Sequence, residues 1–534
     1  MIKELKMVKM KKNVCLIILD GWGIGNEDIS NPIYQTPTPT FDLIKKHYPF
    51  TSLQASGMAV GLPWLEEGNS EVGHLILGSG RIVYQYYPRI NLAIENKSFF
   101  QNPVITNFFK HIKENKSHGH LIGLLTSGNV HSSFGHLIAL LDWVKQTKIF
   151  NLKLHLITDG RDSPPQAALE LVKKLREEIT NRGGQIEIAS LSGRFYAMDK
   201  ENNWPRIKRV YETIVLGKGK RIKNPEDYLL SSYREGFNDQ FIEPALVEGD
   251  NLIKDNDALF FFNFREDGIK ELVQYFNSDE DFLGGVKERP KNLFIATMTQ
   301  IKINPPPPAA FPAEIINNTL AEVLSKNQKR QLHLAEAAKS AHITYFFDGL
   351  REKPFPGEYW VIIPSLETLH YEQFPELMGK EVTNRLLEAI EENIYDFILV
   401  NYANPDLIGH TGNFEAAKAC VHFMDSELKR VLDFGLKHNA TFFITADHGN
   451  IERMLNPYTG RIETQHDPNP VPFYLVSNDF YQPNPLSEEE IKRKEKIISG
   501  VLSDVAPTIL EILNLPKPAE MSGKSLLRQM IVRA

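Results

Sequence analysis

Short apolar runs recur along the chain, VCLIILD, HLIGLLTSG, LKLHLITDG, IEIASLSG, ALFFFNFR, LFIATMTQ, FILVNYANPD, TFFITADHG and PFYLVS, with amphipathic helical stretches between them. That alternation predicts an α/β fold, in which strands assemble into largely parallel sheets and helices cover their faces. Nearly every run closes on polar or ionisable residues just past its last apolar position: Asp20, His131, Asp159 to Asp162, Arg194, Arg265, Asp406, Asp447 and His448. Ligands of open parallel sheets bind beyond the carboxyl ends of the strands, so these groups are placed to share sheet edges.

A chain of 534 residues exceeds one compact core, because single cores stop growing near ~250 to 300 residues, so at least two domains are expected. Within the run after LKLHLITDGRD, Ser163 is expected to cap a helix, Pro164 and Pro165 to fill its first turn, and QAALELVKKLREEI to continue it to Gly183. A second long helix is expected from about Glu415 to His438. The Pro-rich stretch IKINPPPPAAFPAE, residues 301 to 314, reads as a semi-rigid linker. Charge type also divides the chain: strand ends from 131 to 265 carry arginines, whereas residues 20, 70 and 406 to 466 supply Asp, His and one Ser. One region is suited to anions and the other to cations.

Lys plus Arg total 60 against 67 Asp plus Glu, a net charge of −7, so no global basic field recommends a nucleic-acid partner. Two cysteines, Cys15 and Cys420, give no disulfide framework and point to a reducing compartment. The N-terminal MIKELKMVKMKKN is basic, but the VCLIIL run after it is too short for a signal-peptide core. No segment reaches the ~18 apolar residues of a membrane span. A cytoplasmic, monomeric protein without membrane partners is expected.

DLIGH sets Asp406 and His410 four residues apart, so one helical turn would put both on one face. In TADHGN, Asp447 and His448 end the strand TFFI and are followed by a glycine, and TQHDPNPVPF adds His466 before another strand. Together with Asp20 these residues make three Asp and three His with no thiolate, a mixed oxygen and nitrogen set that suits Mn²⁺ or Zn²⁺ better than Ca²⁺ or ordinary Mg²⁺ cages. Six ligands exceed one open catalytic ion, which argues for two divalent metal ions. In EGNSEVGH, Ser70 sits among turn-forming residues, and a metal beside it would lower its hydroxyl pKa and turn a turn serine into a nucleophile.

In order along the chain, DGWG, EGNSEVGH, TSGNVHSS, TDGRDSPP, SGRFYAMD, FFNFRED, AEAAKSAH, NYANPDLIGH, TADHGN and the later His466 resemble the cofactor-independent phosphoglycerate mutases, of the alkaline-phosphatase-like superfamily. The resemblance implies a phosphatase-like metal-binding domain of residues 1–84 and 315–534, with a transferase domain, 85–314, inserted into it. It implies one metal on Asp406, His410 and His466, and a second on Asp20, Ser70, Asp447 and His448, with Mn²⁺ expected and Mg²⁺, Zn²⁺ or Co²⁺ as alternatives. Ser70 would become phosphoserine, Lys339 would neutralise charge during transfer, and Asp162 would move protons. His131, Arg161, Asp162, Arg194, Lys200, Arg265 and Lys339 would hold 2- or 3-phosphoglycerate.

Two positions depart from the family pattern: Lys200 and Gly268 stand where arginine is usual. Lysine lacks the planar two-pronged grip of a guanidinium, and Lys270 is a candidate to replace the cation lost at 268. The competing readings are a related metal-dependent phosphohydrolase or phosphopentomutase, and a non-catalytic phosphoglycerate sensor.

Overall fold

A computed structural model describes residues 13–64, 66–147, 151–182, 186–278, 289–456 and 458–532. The basic N-terminal run up to Lys12, and Gly183 as the expected helix stop, lie outside the described residues. The chain divides into two compact units, one made of the described residues up to Gln85 and from Ile315 onward, the other Tyr86–Glu314. The second unit is therefore an insertion in the first. Each holds an eight-stranded sheet.

In the first unit the strand order is Glu358–Ile363, Gln331–Glu336, Phe397–Tyr402, Val14–Leu19, Thr441–Thr445, Val471–Val476, Phe50–Gln54 and Ile498–Val501. All pairings are parallel except the two made by Val471–Val476. The central strands are buried along their whole length, as near-continuous apolar runs require when both faces are covered. Their carboxyl ends deliver Asp20, Lys339, Asp406, Asp447 and His448 to one edge. The reversed strand Val471–Val476 begins where its neighbours end, so His466 reaches that same edge from the amino-terminal side.

The inserted unit orders its strands Ala309–Phe311, Phe294–Thr299, Ala258–Phe261, Gly119–Leu125, Leu152–Thr158, Ile186–Gly193, Ala245–Val247 and Lys220–Ile222. The Pro-rich stretch expected as a linker supplies the edge strand Ala309–Phe311 of this sheet, parallel to Phe294–Thr299. Proline cannot donate to a ladder, so a segment framed by Pro308 and Pro312 is tolerated at an edge.

The helix expected from Ser163 begins later, at Ala168, and runs to Arg182. Ser163 is drawn away from capping: its hydroxyl donates to Asp159 Oδ2 at 2.7 Å, while Asp239 Oδ2 accepts the Ala168 N–H at 2.8 Å. The other expected helix spans Phe414–Lys437, capped by Asn413. Among the described residues no helix is long and apolar enough to cross a membrane.

The helix Ser70–Ser79 packs against the single π turn His342–Phe346, and its placement depends on a missing side chain. A Cβ on Gly78 would lie 2.0 Å from the Phe347 carbonyl oxygen. Gly78→Ala should therefore destabilise the first unit by about 1–3 kcal/mol through overpacking, read as a lower denaturation midpoint. An unchanged midpoint would show that the helix can shift without cost.

Candidate metal centre and active site

Ser70 is the first residue of its helix, and Asn69 caps it by accepting the Val72 N–H at 3.0 Å. The hydroxyl thus lies at a helix N-terminus, where free N–H groups and the helix dipole favour an anion. Around it, Ser70 Oγ donates to Asp20 Oδ1 at 3.0 Å, lies 2.9 Å from His448 Nε2, and accepts from Lys339 Nζ at 2.8 Å. Lys339, on a short turn after Gln331–Glu336, also donates to Asp20 Oδ1 and Asp406 Oδ2, both at 2.7 Å. The DLIGH turn forms as the helix Asn404–Gly409, with His410 at its end and His410 Nε2 3.3 Å from Asp406 Oδ1.

Among the described residues three groups of side chains converge closely enough to hold a cation, and two of them meet at this edge: Asp406, His448 and His466, and Asp20, Asp447 and His448; the third, His333, Asp348 and Glu358, is buried elsewhere in the same unit. His410 belongs beside the first, its Nε2 lying 3.0 Å from His466 Nε2, while His466 Nε2 is 3.3 Å from Asp406 Oδ1. The Nδ1 atoms of His410 and His466 face the carbonyls of Thr464 and Gly68, each at 2.8 Å. A carbonyl only accepts, so Nδ1 carries the proton and Nε2 turns inward. Two nitrogens and a carboxylate oxygen can converge like this only with positive charge between them. In the second group Asp447 Oδ2 is buried and makes no hydrogen bond of good geometry, with His74 Nδ1 3.1 Å away, so it remains an oxygen available to an ion. Oxygen and imidazole donors without thiolate fit Mn²⁺, Co²⁺ or Zn²⁺.

The electrostatics agree. Burial opposes ionisation of Asp20, yet Lys339 and a hydrogen bond from His448 hold its carboxyl well below the usual range. Asp406 is depressed likewise, burial being outweighed by Lys339 and by the imidazoles of His410 and His466 beside it. Burial would lower His448, but Asp447, Asp20 and Asp406 lift it to about 9. The same negative field would act on a divalent cation.

In the inserted unit a second set gathers beyond the strand ends. Arg194 Nη1 donates to Asp159 Oδ1 at 2.5 Å and Asp162 Oδ2 at 3.0 Å. His131 Nδ1 lies 3.3 Å from Asp267 Oδ1 and His131 Nε2 4.0 Å from Asp162 Oδ2. Lys200 Nζ donates to Asp267 Oδ2 at 2.7 Å, and Arg265 Nε lies 3.2 Å from Asp267 Oδ1. Arg161 is exposed and joins through its backbone N–H to Asp159 Oδ1 at 3.3 Å. Lys270 points to Glu266 on its own helix, 3.7 Å away, rather than toward this set.

A family model described as the Metalloenzyme superfamily matches residues 12–517. The 2,3-bisphosphoglycerate-independent phosphoglycerate mutase of Clostridium botulinum (strain Langeland) is 42% identical over 523 residues, covering 97% of this chain and all of that one. The enzyme of the same name from Thermomicrobium roseum is 43% identical over 521 residues, covering 96% and 98%. Among solved structures, phosphoglycerate mutase of Leishmania mexicana, crystallised at low cobalt concentration, superposes with a TM-score of 0.57 at 25% identity, covering 97% and 98%. The chain belongs to the 2,3-bisphosphoglycerate-independent phosphoglycerate mutase family.

Several residues of this mutase family member were not legible as site residues. Asn450 Nδ2 donates to Asp406 Oδ1 at 2.8 Å, and the buried Glu452 accepts the N–H groups of Gly23 and Asn450 at 2.9 and 2.8 Å. His74 and Asn401 lie beside Asp20 and Ser70, and Asp267 gathers two cations of the insert, Lys200 and Arg265, with the His131 imidazole. His74 stood inside EGNSEVGH, one helical turn after Ser70, and that spacing was the available signal. Asp447 also requires Gly73, since a Cβ there would lie 2.7 Å from Asp447 Cβ. Gly73→Ala should keep the helical content of this mutase yet weaken its divalent-metal binding about 10-fold or more, measured by titrating the chelated protein. Unaltered affinity would remove Asp447 from the metal centre.

Proposed function

We propose that this chain interconverts 3-phosphoglycerate and 2-phosphoglycerate through a phosphoserine at Ser70, without 2,3-bisphosphoglycerate. The observation that carries this reading is the Ser70 hydroxyl itself, at a helix N-terminus and within 3.0 Å of Asp20 Oδ1, His448 Nε2 and Lys339 Nζ. We assign one divalent ion, Mn²⁺ by choice, to Asp406, His410 and His466, and another to Asp20, Ser70, Asp447 and His448. When bound, such ions supply Lewis acidity that lowers the serine pKa and neutralises phosphoryl oxygens.

The reading assigns catalysis to the first unit and glycerate binding to the inserted transferase unit. Ser70 Oγ attacks phosphorus, the bond from phosphorus to the substrate's 3-oxygen breaks, and that oxygen takes the proton that the Ser70 hydroxyl gives up. Lys339 offers its ammonium to the equatorial oxygens, where charge builds in transfer. His131, Arg161, Arg194, Lys200 and Arg265 hold the glycerate by its carboxylate and hydroxyls while it reorients. The 2-hydroxyl then attacks phosphoserine and the serine oxygen leaves. Asp162 is the group that accepts and returns the hydroxyl proton, and Arg194 keeps its carboxylate oriented. A monomer in the cytoplasm suffices for this scheme.

Ser70→Ala should bind metal and phosphoglycerate but lose at least about 10³-fold in kcat, because the covalent step has no other acceptor. A phosphoryl adduct mapped to another residue would overturn the assignment. A bound acceptor hydroxyl has a high effective molarity and outcompetes water and free glycerate. Unlabelled 3-phosphoglycerate with labelled free glycerate should therefore yield unlabelled 2-phosphoglycerate and little inorganic phosphate. Phosphate released as fast as substrate is lost would make the protein a phosphohydrolase, and label in the product would show that glycerate escapes.

A further inference from the structure

Beside the metal centre lie two fully buried polar side chains to which the scheme above gives no role, His74 and Asn401. Asn401 is the penultimate residue of the strand Phe397–Tyr402, and His74 is one turn along the helix that begins with Ser70. Asn401 Nδ2 lies 2.8 Å from Asp20 Oδ2 and 2.9 Å from His74 Nε2, while its Oδ1 has no partner. The reversed amide would press an oxygen against the Asp20 carboxylate, so this orientation is the chemically permitted one. The amide donates one hydrogen to Asp20 and the other to His74.

The imidazole tautomer follows. His74 Nε2 accepts, so the ring proton sits on Nδ1. That Nδ1–H donates to the Ser70 carbonyl at 2.8 Å, and Asp447 Oδ2 lies 3.1 Å from the same nitrogen. One chain of contacts thus runs from Asp20 through Asn401 and His74 to Ser70 and Asp447, three of the four residues assigned to one ion. Asp20 Oδ2 is engaged by Asn401, which leaves Oδ1 turned toward Ser70 Oγ and Lys339. The Ser70 backbone is held through its carbonyl by the same imidazole.

We propose that His74 and Asn401 are positioning residues, a buried strut that fixes the Asp20, Ser70 and Asp447 ligand set for one divalent ion and leaves the Asp406, His410 and His466 set largely untouched. A strut of this kind acts through its ligands. Outer partners of metal ligands contribute about 10- to 100-fold to metal affinity. The same set could be prealigned by the backbone alone, and the following test separates the two cases.

The chelated full-length protein is titrated with Mn²⁺, free ion being read by electron paramagnetic resonance, for wild type, Asn401→Leu, His74→Leu and His74→Asn. Asn401→Leu keeps the volume but removes both donors, and should weaken one of two Mn²⁺ sites by about 10- to 100-fold while the other changes less than about threefold. His74→Leu should do the same. His74→Asn retains a donor near the Nδ1 position and should recover most of the lost affinity, a rescue that a space-filling role would not give. Two wild-type-like sites in Asn401→Leu, equal weakening of both sites, or no rescue by His74→Asn would overturn the strut. If a leucine variant does not fold, the His74→Asn titration still decides, since a second site weakened beyond about 10-fold there excludes the Nδ1 donor as the determinant. The inference rests on the two-ion reading, and that reading fails separately if wild type itself binds fewer than two Mn²⁺.

Discussion

Everything at the first sheet's edge depends on keeping three carboxylates, Asp20, Asp406 and Asp447, ionised together and out of water, each at most 3% exposed. Two unit charges ~4 Å apart interact by ~4 kcal/mol even at an effective dielectric of ~20, so such a trio is tolerable only with cations among it. Lys339 is the resident one. Its ammonium contacts Asp20, Asp406 and Ser70 at once, and burial, which alone would lower its pKa, is outweighed by Asp20 and Asp406, which raise it. Divalent ions complete the balance, and the residues placed to receive them are the ones that generate the excess negative field.

This charge requirement also explains why the site sits where it does. Parallel strands end together, and the four that supply Asp20, Lys339, Asp406 and the Asp447–His448 pair lie side by side. Loops a few residues long then suffice to bring groups hundreds of positions apart into contact. The antiparallel strand Val471–Val476 contributes from its start rather than its end, which is why His466 precedes an apolar run while the other ligands follow one. His448 takes part in both cation groups at this edge, so the two are electrostatically linked through one imidazole.

Residues that terminate an apolar run could be read directly: Asp20, Asp406 and His410 at helical spacing, and Asp447 with His448 all follow strands that the pattern marks. Asn401 could not, and His74 only through its one-turn spacing from Ser70. Each lies within an otherwise structural segment and acquires its role through a partner far away in sequence, Asn401 and Asp20 being 381 positions apart. The Ser163 cap misled for a related reason, since the hydroxyl is taken up by the Asp159 carboxylate four residues earlier and by Thr126, 37 positions away, rather than by the backbone that follows it. The Pro-rich edge strand was hidden because its pairing with Phe294–Thr299 costs no proline N–H, a fact of sheet position rather than composition.

The inserted unit shows the complementary problem, how cations stay together without being neutralised. Arg194 meets Asp159 and Asp162 through Nη1 alone, and Arg265 meets Asp267 through Nε alone. A guanidinium has five N–H donors, so these pairings orient each fork while leaving donors for an anion. Asp159 can serve as a permanent partner because hydrogen bonds from Thr126 and Ser163 outweigh the burial that would protonate it. At Gly268 the missing arginine has a steric counterpart: a Cβ there would lie 2.5 Å from Met198 Cε and 3.4 Å from the His131 ring. Met198 and His131 occupy that space, and Lys270 is turned to Glu266. In the proposed scheme the grip on a substrate carboxylate would therefore fall on Arg161, Arg194 and Arg265 with His131, while Lys200 is already engaged by Asp267.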